Sequence, residues 1–382
     1  MNQEKFLRRN AIFDALVEHG YTTQNLLPAF PGVLESEVVQ RLEDNSLRYR
    51  RTVERFGYLG TRACTSRYFN VASAGYRRAL SATNRKPELG QIHCYGGSTT
   101  AGHNVGDEET WPHHLEAVLS REFKTVQVMN FGAGNHTSTH ASLCLLDHCL
   151  RGLVPRIAIM FTGLNDCIYA IDDPDGALSF LDKALFLSQH SPGMETTIGA
   201  IRELIPARGK SLHPGRTAAM ARRSTQELID IVRTRYRVST GIQAICESVW
   251  GVTIVRFWEP SPFTGCQPEQ DLVPKLREGK PTLASAGKAL RSICEVGPER
   301  VLGVSEVVDL TEIGQDVTDF PLYLDEVHAT PAFNRLIAEN IAERLSERRT
   351  RKLLLSMSEQ AEQKKTSDYE GGGSSTELYP LW

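Results

Sequence analysis

Ile92-His93-Cys94-Tyr95-Gly96-Gly97-Ser98-Thr99-Thr100-Ala101-Gly102 decides the fold. Ile92–Tyr95 is strand-length and apolar nearly throughout. Strands covered on both faces read this way, and such strands belong to parallel sheets. Four more runs share the pattern: Val126–Asn130, Ile157–Phe161, Val252–Phe257 and Val307–Leu310. Helical periodicity lies between them. Thr110 can cap a helix with Pro112 in its first turn, followed by Trp111, Leu115, Val118, Leu119 and Phe123 at helical spacing. His140–Leu150 is expected to place Leu143, Leu146 and Leu150 on one face. Phe333, Leu336, Ile337, Ile341 and Leu345 form a last stripe. Strand–helix alternation predicts a doubly wound α/β sheet.

Three regions are expected outside that core. Residues 1–85 read as an N-terminal extension, an amphipathic helix first and then irregular and aromatic. Residues 168–250 and 262–300 read as insertions within a domain spanning 86–350, of the length that forms lids or extra helical layers. Residues 355–382 read as a polar tail, with Lys364, Lys365 and a Gly371-Gly372-Gly373-Ser374-Ser375 run, and are expected to be disordered.

The 382 residues are 41% hydrophobic and 23% charged, as in a folded globular protein. Lys and Arg number 43 against 46 Asp and Glu, a net charge of −3, which argues against a nucleic-acid coat. No run approaches the ~20 apolar residues of a membrane span. The N-terminal stretch lacks the apolar core of a secretory signal, so a cytoplasmic address is expected. The eight cysteines form no C-x-x-C pair and are expected to be reduced thiols, with no structural zinc. Between 202 and 237 nine basic residues stand against three acidic ones. They read either as the solvated face of a helical layer or as a patch that steers an anionic substrate.

A serine at the carboxyl end of a parallel strand points into the crevice where open α/β sheets bind ligands. Gly96 and Gly97 allow the sharp turn. Thr100 stands where G-x-S-x-G needs its second glycine, which disfavours the α/β-hydrolase elbow. The second strand ends in Asn130-Phe131-Gly132-Ala133-Gly134-Asn135-His136, whose N–H groups can form a nest for an oxyanion. The third ends in Gly163-Leu164-Asn165-Asp166, where the Asn165 amide can donate toward the same point. Before the last helix, Asp325 can fix the tautomer of His328 while the other ring nitrogen faces the serine. Taken singly, each motif also reads as an ordinary turn or cap. Together, in this order, they converge on one sheet edge as a nucleophile, oxyanion donors and a base with its orienting acid.

This set, Gly96-Gly97-Ser98, Asn130-x-Gly132…Asn135, Gly163-x-Asn165-Asp166 and Asp325-x-x-His328, resembles the sequence blocks of the SGNH (GDSL-like) hydrolase superfamily, in its Gly-Gly-Ser-Thr-Thr form. The resemblance spans about residues 90–168 and 250–346. It implies a flavodoxin-like three-layer sandwich with a five-stranded parallel sheet, and acyl-transfer chemistry with no metal or cofactor. It implies Ser98 as nucleophile, His328 as base and Asp325 as its orienter. The Ser98 N–H, an N–H of Gly134 or Asn135, and the Asn165 side chain would form the oxyanion hole. Two positions depart from the family pattern: Gly97 replaces the usual Asp, and Asn135 replaces a glycine. Asn70–Arg77 is similar to an N-x(4)-G-[FY]-R stretch of some members and is expected to cover the sheet edge. His103 and His136 are candidates to line the pocket, and Asp166 is expected to brace its loop. The implied activity is hydrolysis of an acyl ester or thioester on a small molecule or carrier. Alternatives are acyl transfer to a hydroxyl or amine, and a non-catalytic binding module.

Overall fold

The computed structural model describes residues 16, 18–48, 51–54, 56, 58–78, 91–123, 126–172, 223–265, 272, 281–347 and 350–359. The N-terminal region contributes helix α1 (Glu35–Arg48) and an antiparallel hairpin of β1 (Arg51–Val53) and β2 (Leu59–Thr61). The central sheet comprises β3 (Gln91–Gly96), β4 (Gln127–Asn130), β5 (Ile157–Thr162), β6 (Thr253–Trp258) and β7 (Val307–Asp309). The order is β4-β3-β5-β6-β7, with every pair parallel. From β3 the chain steps outward to β4, then crosses back to β5 on the other side. That reversal opens a crevice above the carboxyl ends of β3 and β5.

The pleat divides each strand between two layers. Ile157, Ile159 and Phe161 face a core shared with Trp111, Leu115 and Leu119 of α3 (Trp111–Leu119) and with Phe333, Ile337 and Ile341 of α9 (Pro331–Leu345). A four-residue turn, α2 (Ser98–Ala101), precedes α3. Ala158 and Met160 face the other way, onto α4 (Ser138–Leu150). That second face is completed by α5 (Leu164–Asp172), α6 (Thr225–Trp250) and α7 (Pro281–Val296), beside the short α8 (Pro298–Leu302). The α/β sheet with helices on both sides is the expected architecture. Thr110 caps α3, with Pro112 in its first turn.

Several expectations need correcting. On α4 the sheet-facing residues are Ala141, Cys144, Leu145 and Cys149, while Leu143 and Leu146 are only partly buried and Leu150 is 49% exposed. Both stripes have helical spacing, and the one with smaller residues packs against the sheet. Parts of the stretches read as insertions are core layer. Parallel strands need crossover connections, and α5 with α6 links β5 to β6, as α7 links β6 to β7. The β1–β2 hairpin was not expected. Residues 350–359 are helical and bury Leu354 and Met357, so packing continues past 355. The remainder of the expected tail, most of the first helix, and residues 173–222 lie outside the described residues.

Residues 70–77 behave as expected. Arg77 pairs in antiparallel fashion with Asn130, the last residue of edge strand β4. Seven cysteines are free thiols; Cys266 lies outside the described residues. Among the described residues no helix is long and apolar enough to cross a membrane.

Candidate active site

Ser98 opens α2 directly after β3, and three anchors hold that turn. The Asn130 amide donates to Thr100 O at 2.8 Å, while its Oδ1 accepts from Gly132 N at 2.9 Å. The buried Arg77 guanidinium donates to Ala101 O at 2.7 Å and to Gly102 O, and pairs with Asp107 at 2.6 Å. Glu259, at the end of β6, accepts from Thr99 Oγ1 at 2.6 Å. Gly132 packs so closely on the turn that a Cβ there would collide with the Ala101 and Thr100 backbone.

Asn165, in the first turn of α5, stands beside this turn. Its Nδ2 donates to His136 O at 2.9 Å, which fixes the amide orientation, since Oδ1 could not face a carbonyl. The amide occupies the space that a side chain at Gly97 would need. The glycine at 97 therefore fits this arrangement, in which Asn165 itself closes over the nucleophile turn. In the loop after β4, Asn135 has φ 68°, the left-handed conformation that Asn adopts more readily than most residues. Gly132 N bonds Asn130 Oδ1, Ala133 N bonds Gly96 O, and His136 N bonds Ala133 O. Those three N–H groups are committed to the loop itself and to the end of β3. Gly134 and Asn135 occupy its tip.

Asp325 and His328 form a tight turn. Asp325 Oδ1 accepts the N–H groups of Val327 and His328, both at 2.9 Å, and Oδ2 lies 2.7 Å from His328 Nδ1. Burial pushes the Asp325 carboxyl up. The facing His328 charge, the ring hydrogen bond and the two backbone N–H groups outweigh it and hold the pKa down to about 2. An ionised carboxylate can only accept, so Nδ1 carries the proton and Nε2 is the free lone pair of the neutral ring. His328 Nε2 is buried with no hydrogen-bond partner among the described residues. Several other buried side-chain atoms share that state, and His328 Nε2 is the one whose ring is held by Asp325.

Contacts around α2 bring the base loop to the serine turn. His103 N donates to Ser98 O at 3.1 Å, and its ring lies 5.3 Å from the His328 ring, centroid to centroid. Asn104 Nδ2 donates to Asp325 Oδ2 at 2.6 Å, from a backbone at φ 68°. Ser98, Asn165 and the Asp325–His328 pair therefore share one sheet edge. His136 reaches the site through its carbonyl, and its ring packs against Tyr58 and His140. Asp166 turns away from the site: it accepts from Ser138 N and Oγ at 2.9 and 2.7 Å, bracing the start of α4, where its own loop was expected.

Sequence reasoning missed Asn104, Glu259 and the grip of Arg77 on the nucleophile turn. The partners of Glu259 are 160 and 95 residues away, beyond any local motif. The basic stretch also differs from a free patch. Arg223, Arg233 and Arg235 donate to the main-chain carbonyls of Ala170, Val301 and Asp166, while residues up to 222 lie outside the described set. Among the described residues no three His, Cys, Asp or Glu side chains are grouped to hold a metal ion.

No curated protein matches the sequence. Similar solved structures include a carbohydrate acetylesterase from Sinorhizobium meliloti, 14% identical, covering 67% of this chain and 98% of that one, with a TM-score of 0.38. An acetylxylan esterase from Geobacillus stearothermophilus is 12% identical, covering 68% and 95%, with a TM-score of 0.35. A member of the lipolytic protein G-D-S-L family from Veillonella parvula is 13% identical, covering 68% and 99%, with a TM-score of 0.35. The model of the GDSL-like Lipase/Acylhydrolase family matches residues 94–274, which include Ser98, Asn130 and Asn165 and end before Asp325 and His328. Residues 94–274, with Ser98, Asn130 and Asn165 among them, are thus similar to the GDSL-like Lipase/Acylhydrolase family.

Proposed function

We propose that this chain is a serine-dependent acyl-ester or thioester hydrolase working through an acyl-enzyme. The observation that carries the reading is His328. Its Nδ1 is held by an ionised Asp325, and its Nε2 is buried and, among the described residues, unpartnered at the sheet edge that presents Ser98 and Asn165. Ser98 Oγ attacks the acyl carbon as its proton passes to His328 Nε2. The oxyanion is met by the Ser98 N–H, by an N–H of Gly134 or Asn135, and by the second Nδ2 hydrogen of Asn165. Collapse expels the alcohol or thiol, which takes the proton from His328. Water, deprotonated by His328, then releases the carboxylic acid and restores Ser98.

Acyl transfer to a hydroxyl or amine uses the same steps, with the acceptor in place of the water that attacks the acyl-enzyme. The substrate we infer is a small molecule or a carrier-bound acyl group. The test is turnover of ester, thioester and O-acetyl sugar panels by the full chain, with and without acceptor alcohols. Ser98→Ala is expected to abolish turnover without changing the melting curve, because a half-buried hydroxyl at a strand end packs little. Acylated acceptor in place of free acid would move the protein from hydrolase to transferase. Wild-type rates in Ser98→Ala would end the reading.

A further inference from the structure

Glu259 is 2% exposed and is joined to two site elements at once. Its Oε2 accepts from Thr99 Oγ1, the residue after Ser98, at 2.6 Å. Its Oε1 accepts from Leu164 N, the residue before Asn165, at 2.9 Å. Its own N–H bonds Thr162 O across β5 and β6 at 3.2 Å. One carboxylate thus spans the nucleophile turn and the turn that aims the oxyanion donor.

We propose that Glu259 is a positioning residue of the active site, fixing Ser98 against Asn165 and supplying a second carboxylate that favours the His328 imidazolium as Ser98 attacks. The inference rests on the reading of Ser98 and His328 above.

The groups facing Glu259 give it a titration of its own. Burial pushes its carboxyl up to about 7, aided by the Asp166 charge of α5 and opposed by the Thr99 and Leu164 hydrogen bonds and by His328. Cys167 of α5 and Tyr236 of α6 also sense it, both held neutral by burial. Arg235 of α6 stands behind Asp166. When Glu259 takes a proton to Oε2, the Thr99 hydroxyl can turn and accept it, while Leu164 N–H can only donate, to Oε1. The bridge survives protonation, and only the charge facing His328 is lost.

Glutamine reproduces that protonated state, with its carbonyl on Leu164 N–H and its amide on Thr99 Oγ1. The test is the rate of Ser98 phosphonylation by a neutral alkyl phosphonate ester, followed by mass spectrometry from pH 5 to 9. Glu259→Gln is expected to match wild type near pH 5 and to fall about tenfold behind above pH 7, as the wild type alone gains a carboxylate there. Thr99→Val removes a bond that favours the ionised form, so its rise is expected to move to higher pH than in wild type. That variant carries the test should Glu259→Gln not fold. A constant ratio across pH, or superimposed profiles, would assign Glu259 to scaffold alone and overturn the proposal. No labelling of wild-type Ser98 at any pH would overturn the functional reading, and this inference with it.

Discussion

The loop that carries Asp325 and the end of β6 that carries Glu259 each place a buried carboxylate within electrostatic reach of His328, and hold it in opposite ways. Asp325 receives the N–H groups of Val327 and His328, the His328 ring and the Asn104 amide. The His328 charge, its ring hydrogen bond and the N–H groups of Val327 and His328 overcome burial, and the pKa falls to about 2. Among the described residues Glu259 receives Thr99 and Leu164, and it senses the Asp166 charge, so burial prevails and its pKa rises to about 7. Burial alone does not decide the state of a carboxylate; the number of donors and the sign of the neighbouring charge do. One acid is a permanent anion suited to orient a histidine. The other changes charge near neutrality.

Substitutions on the base loop should break this contrast most strongly. His328→Ala is expected to lower kcat by on the order of 10⁵-fold, because the proton acceptor itself is lost. Asp325→Asn should cost about two powers of ten less, since the ring keeps a partner but its preferred tautomer changes. Steady-state kinetics on a nitrophenyl ester measures both, and a His328→Ala enzyme of full activity would remove His328 from the mechanism.

Stability against pH sharpens the contrast from the other side. The folded pKa of Asp325 lies below its ordinary 3.8, so its contribution is present above that value and is lost as pH falls through about 2. The folded pKa of Glu259 lies above its ordinary 4.5, so its contribution is present below 4.5 and is lost as pH rises through about 7. Urea unfolding of Glu259→Gln against wild type should therefore diverge across that window, by up to roughly 3 kcal/mol in favour of the glutamine. A difference independent of pH would show that Glu259 is ionised at all these pH values. Smaller still, Asn104→Ala should reduce kcat about tenfold with KM unchanged, by removing one charge-assisted donor from Asp325. A rise in KM with kcat intact would instead place Asn104 at the substrate.

The same contrast explains what could be read from sequence. Asp325 and His328 are three residues apart, so a short motif displays them. Strand ends are visible because buried parallel strands are unbroken apolar runs, and all five strands fall within two residues of their expected bounds. Ser98, Asn165 and His328 follow from those ends. Glu259 also closes a strand, but it reads as an ordinary polar residue there, since its role comes from Thr99 and Leu164, brought in by folding. Asn104 meets Asp325 across 221 residues. On α4 hydrophobicity favoured the leucine stripe, while close approach to the sheet favoured Ala141, Cys144 and Cys149. The crossover helices α6 and α7 looked like insertions because long connecting stretches surround them.

The most direct measurement is acid-quenched mass spectrometry of the full chain mixed with a slowly deacylating ester. The account predicts one acyl group on the peptide containing Ser98, formed before free acid accumulates and absent from a folded Ser98→Ala protein. An acyl group on another residue, or ester turnover that persists in Ser98→Ala, would contradict it.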